Sequence, residues 1–234
     1  ENEAINKFKC KLRNNQYHKS KPIAVIGPLN DIDKFQDKLQ KYEQILFINP
    51  SNKTIFKNYP KSSFCFYFRN PSIIAIDKGI FVPPQINYDF IISERNSKSN
   101  KKYDNYFKNN NYNLNYKSFF KDKDLIGKFN AIQSATLHLL QLGYKNIDIY
   151  CCDLFCTPRE KNKRYDYAPN QHKKNKLIRD NKIKKDNQHI CHDPYLNFMV
   201  LKILFLEKLI NPYPKLKKVL EMSYEEYLNN LDIN

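Results

Sequence analysis

Pro22-Ile23-Ala24-Val25-Ile26-Gly27-Pro28 is a short apolar run that stops at a Gly-Pro turn. It reads as a buried strand bounded by chain breakers. The same unit recurs on both sides of helical patterns. Gln44-Ile45-Leu46-Phe47-Ile48-Asn49-Pro50 and Ser63-Phe64-Cys65-Phe66-Tyr67-Phe68-Arg69-Asn70-Pro71 are strands that end in Asn-Pro. Tyr88-Asp89-Phe90-Ile91-Ile92-Ser93 is a further strand, and Lys145–Asp153 is another with a carboxylate at its exit. Asn30-Asp31 supplies a cap for a helix over 31–41. Over 129–142, Ile132, Ala135, Leu139 and Leu142 recur on one helical face, and Gly143 ends the pattern. Asp193-Pro194-Tyr195 opens a helix over 194–210 with the stripe Phe198, Leu201, Leu204 and Phe205, its proline well placed in the first turn. Strands alternating with helices imply an α/β fold of Rossmann-like type, a mostly parallel sheet with helices on both faces.

The chain divides into four parts. Residues 1–21 are a basic segment without clear periodicity. Residues 22–153 form the expected nucleotide-binding unit, 154–190 a basic inserted lid, and 191–234 C-terminal helices that complete the domain. Within the second part, 95–123 is a polar connection with room for one short strand. No internal repeat is visible.

Composition narrows the function. With only 4 glycines in 234 residues, a multi-glycine phosphate loop is not expected. No G-x-G-x-x-G or Walker A pattern occurs, which removes the standard dinucleotide and P-loop readings. Forty basic against 24 acidic residues leave a net charge of +16. AT-rich codon usage accounts for part of this, and an anionic partner for the rest: nucleic acid, a phosphorylated substrate or an acidic membrane face. No RNA-recognition, zinc-finger or helix-turn-helix signature supports nucleic acid. The 6 cysteines are irregularly spaced and form no C-x-x-C pair, so a reducing compartment is expected and a structural zinc site is not. Cys151, Cys152 and Cys156 read as small core residues rather than nucleophiles. Without a run of 18 apolar residues or a signal peptide, the expected location is cytoplasmic.

In parallel sheets, ligands sit at the carboxyl ends of the strands. The sequence puts Gly27-Pro28, Asn49-Pro50, Asn70-Pro71 and Asp153 at those ends. Asparagine both donates and accepts, which suits a nucleotide base or ribose.

These residues also carry a resemblance. Ile23–Pro28 resembles the first strand and Gly-Asn-Gly-Pro-Ser turn of the bacterial CMP-sialic-acid-dependent sialyltransferases of glycosyltransferase family 42, which act on lipooligosaccharide. Leu46-Phe47-Ile48-Asn49 and Phe68-Arg69-Asn70-Pro71 resemble two strand ends of that family whose asparagines contact the cytidine nucleotide. Leu142-Gly143-Tyr144-Lys145-Asn146-Ile147, with Asp153-Leu154-Phe155 after it, resembles the family's Leu-Gly-Tyr-Lys-Glu-Ile strand and following Asp. Asp186-Asn187-Gln188-His189-Ile190-Cys191-His192 resembles its Asp-Asn-Ser-His…Gly-His-Ser segment. The parts keep family order over residues 22–210.

The resemblance implies a GT-A-like variant of the Rossmann-type sheet and a lid over the donor. It implies an inverting sialyltransferase that moves a nonulosonic acid from a CMP-sugar to a glycan hydroxyl. His192 falls on the family's general base, with His189 as a secondary candidate that orients it or meets the donor carboxylate. Gly27, Pro28, Asn49, Asn70, Asp153 and Ser134 fall on or near its donor-binding positions. Tyr167 matches one of two phosphate-holding lid tyrosines. Tyr165, Arg164, Lys163 and Lys128 add donors and positive charge for the departing phosphate. No metal and no cofactor are expected, the CMP-sugar being a substrate. The chain departs from the family at Ile26 (Asn in the family), Leu29 (Ser) and Phe155 (the other lid Tyr).

The expected partners are the CMP-sugar donor, a glycan or glycolipid acceptor, and an anionic membrane surface for the basic tail around Pro214-Lys215-Leu216-Lys217-Lys218. Self-association is left open, and nucleic acid is not favoured. Two alternatives stand beside this reading. One is another Rossmann-like nucleotide-dependent transferase, of CMP-Kdo transferase or diphosphokinase type. The other is a non-catalytic basic binding module on a degenerate transferase scaffold.

Overall fold

A computed structural model describes residues 2–27, 29, 31–50, 63–79, 82–94, 106–107, 111–112, 114, 119–120, 129–154, 156 and 194–230. In chain order the elements are α1 (Asn2–Asn14), β1 (Ile23–Ile26), a 3₁₀ turn (Ile32–Phe35) running into α2 (Gln36–Leu39), β2 (Gln44–Ile48), β3 (Ser63–Phe68), α3 (Asn70–Asp77), β4 (Phe90–Ser93) and β5 (Asn111–Tyr112). There follow α4 (Ala131–Gln141), β6 (Ile147–Tyr150), α5 (Pro194–Leu206), β7 (Ile210–Pro212), α6 (Lys215–Glu221) and α7 (Tyr224–Asn229). The strands form one seven-stranded sheet in the order β5-β4-β3-β2-β1-β6-β7. Every neighbouring pair is parallel. The α/β, Rossmann-like expectation therefore holds.

The strands β1 to β4 are almost wholly apolar and buried because both faces are covered. Alternate residues go to opposite sides. Ile23, Val25, Leu46, Ile48, Cys65, Tyr67, Ile147 and Ile149 pack in one core with Phe8 and Leu12 of α1 and with residues of α4, α5, α6 and α7. Ala24, Ile26, Ile45, Phe47, Phe66, Phe68 and Tyr150 pack in the other with Phe35, Leu39, Ile73 and Ile76. Asp148 is 8% exposed on this second side. The Tyr42 hydroxyl donates to its Oδ2 and Asn211 Nδ2 donates to Oδ1 at 2.7 Å, so its burial is matched by hydrogen bonds.

Several elements depart from the sequence reading. Residues 1–21, read as lacking periodicity, contain α1. Its buried Phe8 and Leu12 are one helical turn apart, and burying each contributes about 1.5–3 kcal/mol. Lysines on the remaining faces mask that stripe. The helix expected over 194–210 ends at Leu206, and the chain turns through Lys208 (φ 57°) into the edge strand β7. The one-faced helix expected over 129–142 is instead buried on all sides from Ile132 to Leu140. Two of its polar side chains bond within this packing: Thr136 Oγ1 donates to the Ile132 carbonyl at 2.8 Å, and Gln133 Nε2 to the Asn197 carbonyl at 3.1 Å. Among the described residues, no helix is long and apolar enough to cross a membrane.

Candidate functional site

β1 lies between β2 on one side and β6 on the other, so the strand order reverses direction at the β1–β6 pair. At such a switch point the two following segments part and leave a crevice at the carboxyl edge. The register pairs Ile26 with Tyr150, which puts Gly27 directly beside Cys151. Gly27 N–H donates to the Tyr150 carbonyl at 2.9 Å, and Leu29 N–H to the Cys151 carbonyl at 3.0 Å. A Cβ on Gly27 would overlap the Cys151 carbonyl oxygen. Glycine is required here by close backbone approach.

The same edge holds three non-glycine residues in the left-handed region: Asn49 (φ 47°) after β2, and Cys151 (φ 53°) and Leu154 (φ 49°) after β6. Such conformations cost of order 1–3 kcal/mol each and persist where neighbours hold them. For Asn49 the holders are visible. Its N–H donates to the Tyr67 carbonyl at 2.7 Å, and its Oδ1 accepts from Arg69 N–H at 3.2 Å. The carboxamide oxygen is thus engaged with the neighbouring strand end. Leu154 is held from the other direction, its carbonyl accepting from Tyr227 of α7 at 3.3 Å. Asp153 is 5% exposed, and its carbonyl accepts from Cys156 N–H at 3.1 Å.

Beyond β3 and β4 lies a polar cluster that sequence reasoning did not single out. The Tyr67 hydroxyl donates to Glu94 Oε1 at 2.6 Å. Arg69 donates through Nε to Glu94 Oε2 at 3.1 Å and through Nη1 to the Phe129 carbonyl at 2.6 Å. Glu94 thereby joins β3 to β4, and Arg69 joins β3 to the entry of α4. Asn197 of α5 secures the same entry, its Oδ1 accepting from Asn130 N–H at 2.6 Å. Burial and the Glu94 charge push the Tyr67 phenol well above its ordinary range, so it stays a neutral donor. The available signal was positional: Arg69 and Glu94 each stand immediately after a strand.

His138 stacks obliquely near Tyr67, ring centroids 5.7 Å apart, and is fully buried. Burial lowers its pKa from 6.5 to about 4. The folded state therefore holds it neutral, while the unfolded chain takes up the proton as pH falls through 6.5. This contribution to stability is complete above that value and is lost progressively toward pH 4, amounting to about 3 kcal/mol. We expect His138→Leu to remove this slope in denaturant unfolding measured between pH 4.5 and 7. An unchanged slope would assign the titration elsewhere.

Of the residues expected at the site, Gly27, Asn49 and Asp153 lie at the carboxyl edge as anticipated. Asn70 also lies there, as the first residue of α3, where a proline at the next position needs no helical N–H partner. Ser134 sits one turn into α4, fully buried, with its hydroxyl beside Tyr67. Pro28, Lys128, Phe155, Lys163, Arg164, Tyr165, Tyr167, His189 and His192 lie outside the described residues. The thiols near the crevice are not poised as nucleophiles. Burial and the neighbouring Asp31 carboxylate raise Cys151, and burial pushes Cys152 up to about 12. Among the described residues no group of three or more His, Cys, Asp or Glu is placed to hold a metal ion.

No family model matches the chain, and no curated protein matches it. Among solved structures it is similar to the sialyltransferase CstII from Campylobacter jejuni, solved in complex with a substrate analogue, cytidine-5′-monophosphate. The identity is 12%, the match covers 83% of this chain and 79% of that one, and the TM-score is 0.42.

Proposed function

We propose that the chain is a glycosyltransferase, an inverting enzyme that moves a nonulosonic acid from a CMP-sugar to a glycan hydroxyl. One observation carries the reading. The segments that resemble family 42 donor-binding turns come together on one edge of the sheet: Gly27 after β1, Asn49 after β2, Asn70 after β3 and Asp153 after β6. Four motifs far apart in sequence thus share the edge where a parallel sheet binds its ligand.

In this reading the acceptor hydroxyl gives its proton to His192 as its oxygen bonds to the anomeric carbon. The anomeric carbon–phosphate oxygen bond breaks, and CMP departs with the electron pair. In this reading Tyr165, Tyr167, Arg164 and Lys128 supply the hydrogen bonds and positive charge that stabilise the departing phosphate, the part a metal plays in other transferases. The basic surface of the chain favours work at an anionic membrane face, where a lipid-linked acceptor is found.

Thermal unfolding with CMP, UMP, AMP and GMP, with and without Mg²⁺, tests the donor class. CMP at 100 times its Kd should add about 2.7 kcal/mol, a rise of roughly 5–10 °C for a chain of this size. The rise should be specific to CMP and independent of Mg²⁺. A strict Mg²⁺ requirement would point to a diphosphokinase type. No response to any of the four would leave the non-catalytic binding module as the reading.

A further inference from the structure

The opposite edge of the sheet, where the strands begin, carries a cleft of about 410 Å³. It owes its shape to two segments that run in ahead of β1 and β6. Lys19 N–H donates to the Gly143 carbonyl at 3.0 Å, and Asn146 Nδ2 donates to the Ser20 carbonyl at 2.8 Å. Gly143 has φ 89°, and a Cβ there would strike the His18 ring. His18 and Lys19 are thereby fixed against the Tyr144 segment.

Across the cleft runs a polarised chain of hydrogen bonds. The Lys19 ammonium sits 4.5 Å from the centre of the Tyr144 ring and 3.5 Å from its hydroxyl oxygen. The Tyr144 hydroxyl donates to Gln44 Oε1 at 2.6 Å, and Gln44 Nε2 donates to Asp89 Oδ2 at 2.7 Å. Tyr144 is only 3% exposed, and burial raises its pKa, so it remains a neutral donor. Its direction of donation fixes that of the Gln44 carboxamide. One end of the chain is a cation and the other a carboxylate, and the two neutral side chains between them keep them apart. Among the described residues neither Lys19 nor Asp89 forms an ion pair, whereas Lys21 and Glu43 at the rim pair with each other at 2.6 Å. The cleft therefore presents one uncompensated charge of each sign at its two ends.

We propose that this cleft is a binding site for a small zwitterion, with the ligand's anionic group at Lys19 and its ammonium at Asp89. The Tyr144–Gln44 relay sets the separation the ligand must match. The site is on the edge remote from the transferase crevice, and the proposal stands or falls apart from that reading.

Chemical-shift titration of the full chain with three probes tests it: O-phosphoethanolamine, which carries both charges, and inorganic phosphate and ethanolamine, which carry one each. The two-charged probe should bind roughly ten-fold or more tighter than either half, because each charge-assisted contact is made only by the group that carries it. Its shifts should centre on the amides of Lys19, Gln44, Asp89, Gly143 and Tyr144. Lys19→Gln and Asp89→Asn should each remove most of the advantage while leaving the thermal midpoint nearly unchanged. Phosphate binding as tightly as the zwitterion, shifts centred elsewhere, or affinity indifferent to both substitutions would overturn the proposal. If either variant fails to fold, the comparison of the three probes on the unsubstituted chain decides.

Discussion

Gly27→Ala is expected to lower the thermal midpoint by roughly 6–12 °C, the equivalent of about 3 kcal/mol of forced overpacking. The new methyl would overlap the Cys151 carbonyl oxygen and stand 3.0 Å from its carbon and 3.1 Å from the Tyr150 carbonyl oxygen. All three are backbone atoms of the strand exit that pairs with β1, so no side-chain rotation relieves the contact. Relief comes only by parting β1 from β6, which breaks the bonds from Gly27 and Leu29 to that segment. Gly79 supplies the internal control. It has φ 68°, and a methyl there would meet nothing within 4 Å, so Gly79→Ala incurs only left-handed strain of about 1–2 kcal/mol. The same parting of strands would distort the carboxyl edge, so on the proposed reading CMP stabilisation should disappear from the Gly27 variant and survive in the Gly79 variant. Equal midpoints for the two would mean that the strand exits are not packed as described.

On the proposed reading, replacing His192 with alanine should reduce kcat by about 10²–10⁴-fold, the usual worth of a positioned general base. Stabilisation by CMP should be unaffected, because the proposed base would act on the acceptor hydroxyl and not on the nucleotide. Below the histidine pKa the intact enzyme should slow, since a protonated imidazole has no lone pair to accept the acceptor's proton. His189→Ala should fall between the two proteins if that residue orients its neighbour. Full transferase activity in the His192 variant would reject its assignment, and CMP binding without any transfer in the unsubstituted chain would reject the enzyme.

The crevice and the polar cluster beside it were legible to different degrees. Gly27, Asn49, Asn70 and Asp153 could be placed on one edge from sequence because each lies at or just past the end of an apolar run, and parallel strands bring all such exits to the same side. Arg69 and Glu94 occupy equivalent positions, yet nothing local to either marks it as half of a pair. Their ion pair at 3.1 Å exists because β3 and β4 are neighbours in the sheet, with Phe68 opposite Ser93. Ser134 and His138 illustrate the reverse. Their spacing on α4 is visible in the chain, but only the packing of α4 on the sheet turns them to Tyr67 of β3.

The cleft at the other edge was not legible at all. Lys19, Gln44, Asp89 and Tyr144 come from four separate segments, and only the register of β1, β2, β4 and β6 aligns them. Hydrophobic runs with chain breakers at their ends determined that this protein is a parallel α/β sheet, because strand burial on both faces is a property of consecutive residues. The tertiary structure alone decided the strand order, the pinch at Gly27 and the polar pairs at both edges. Those depend on contacts between residues distant in the chain, and the free energy of such contacts is not written in either segment alone.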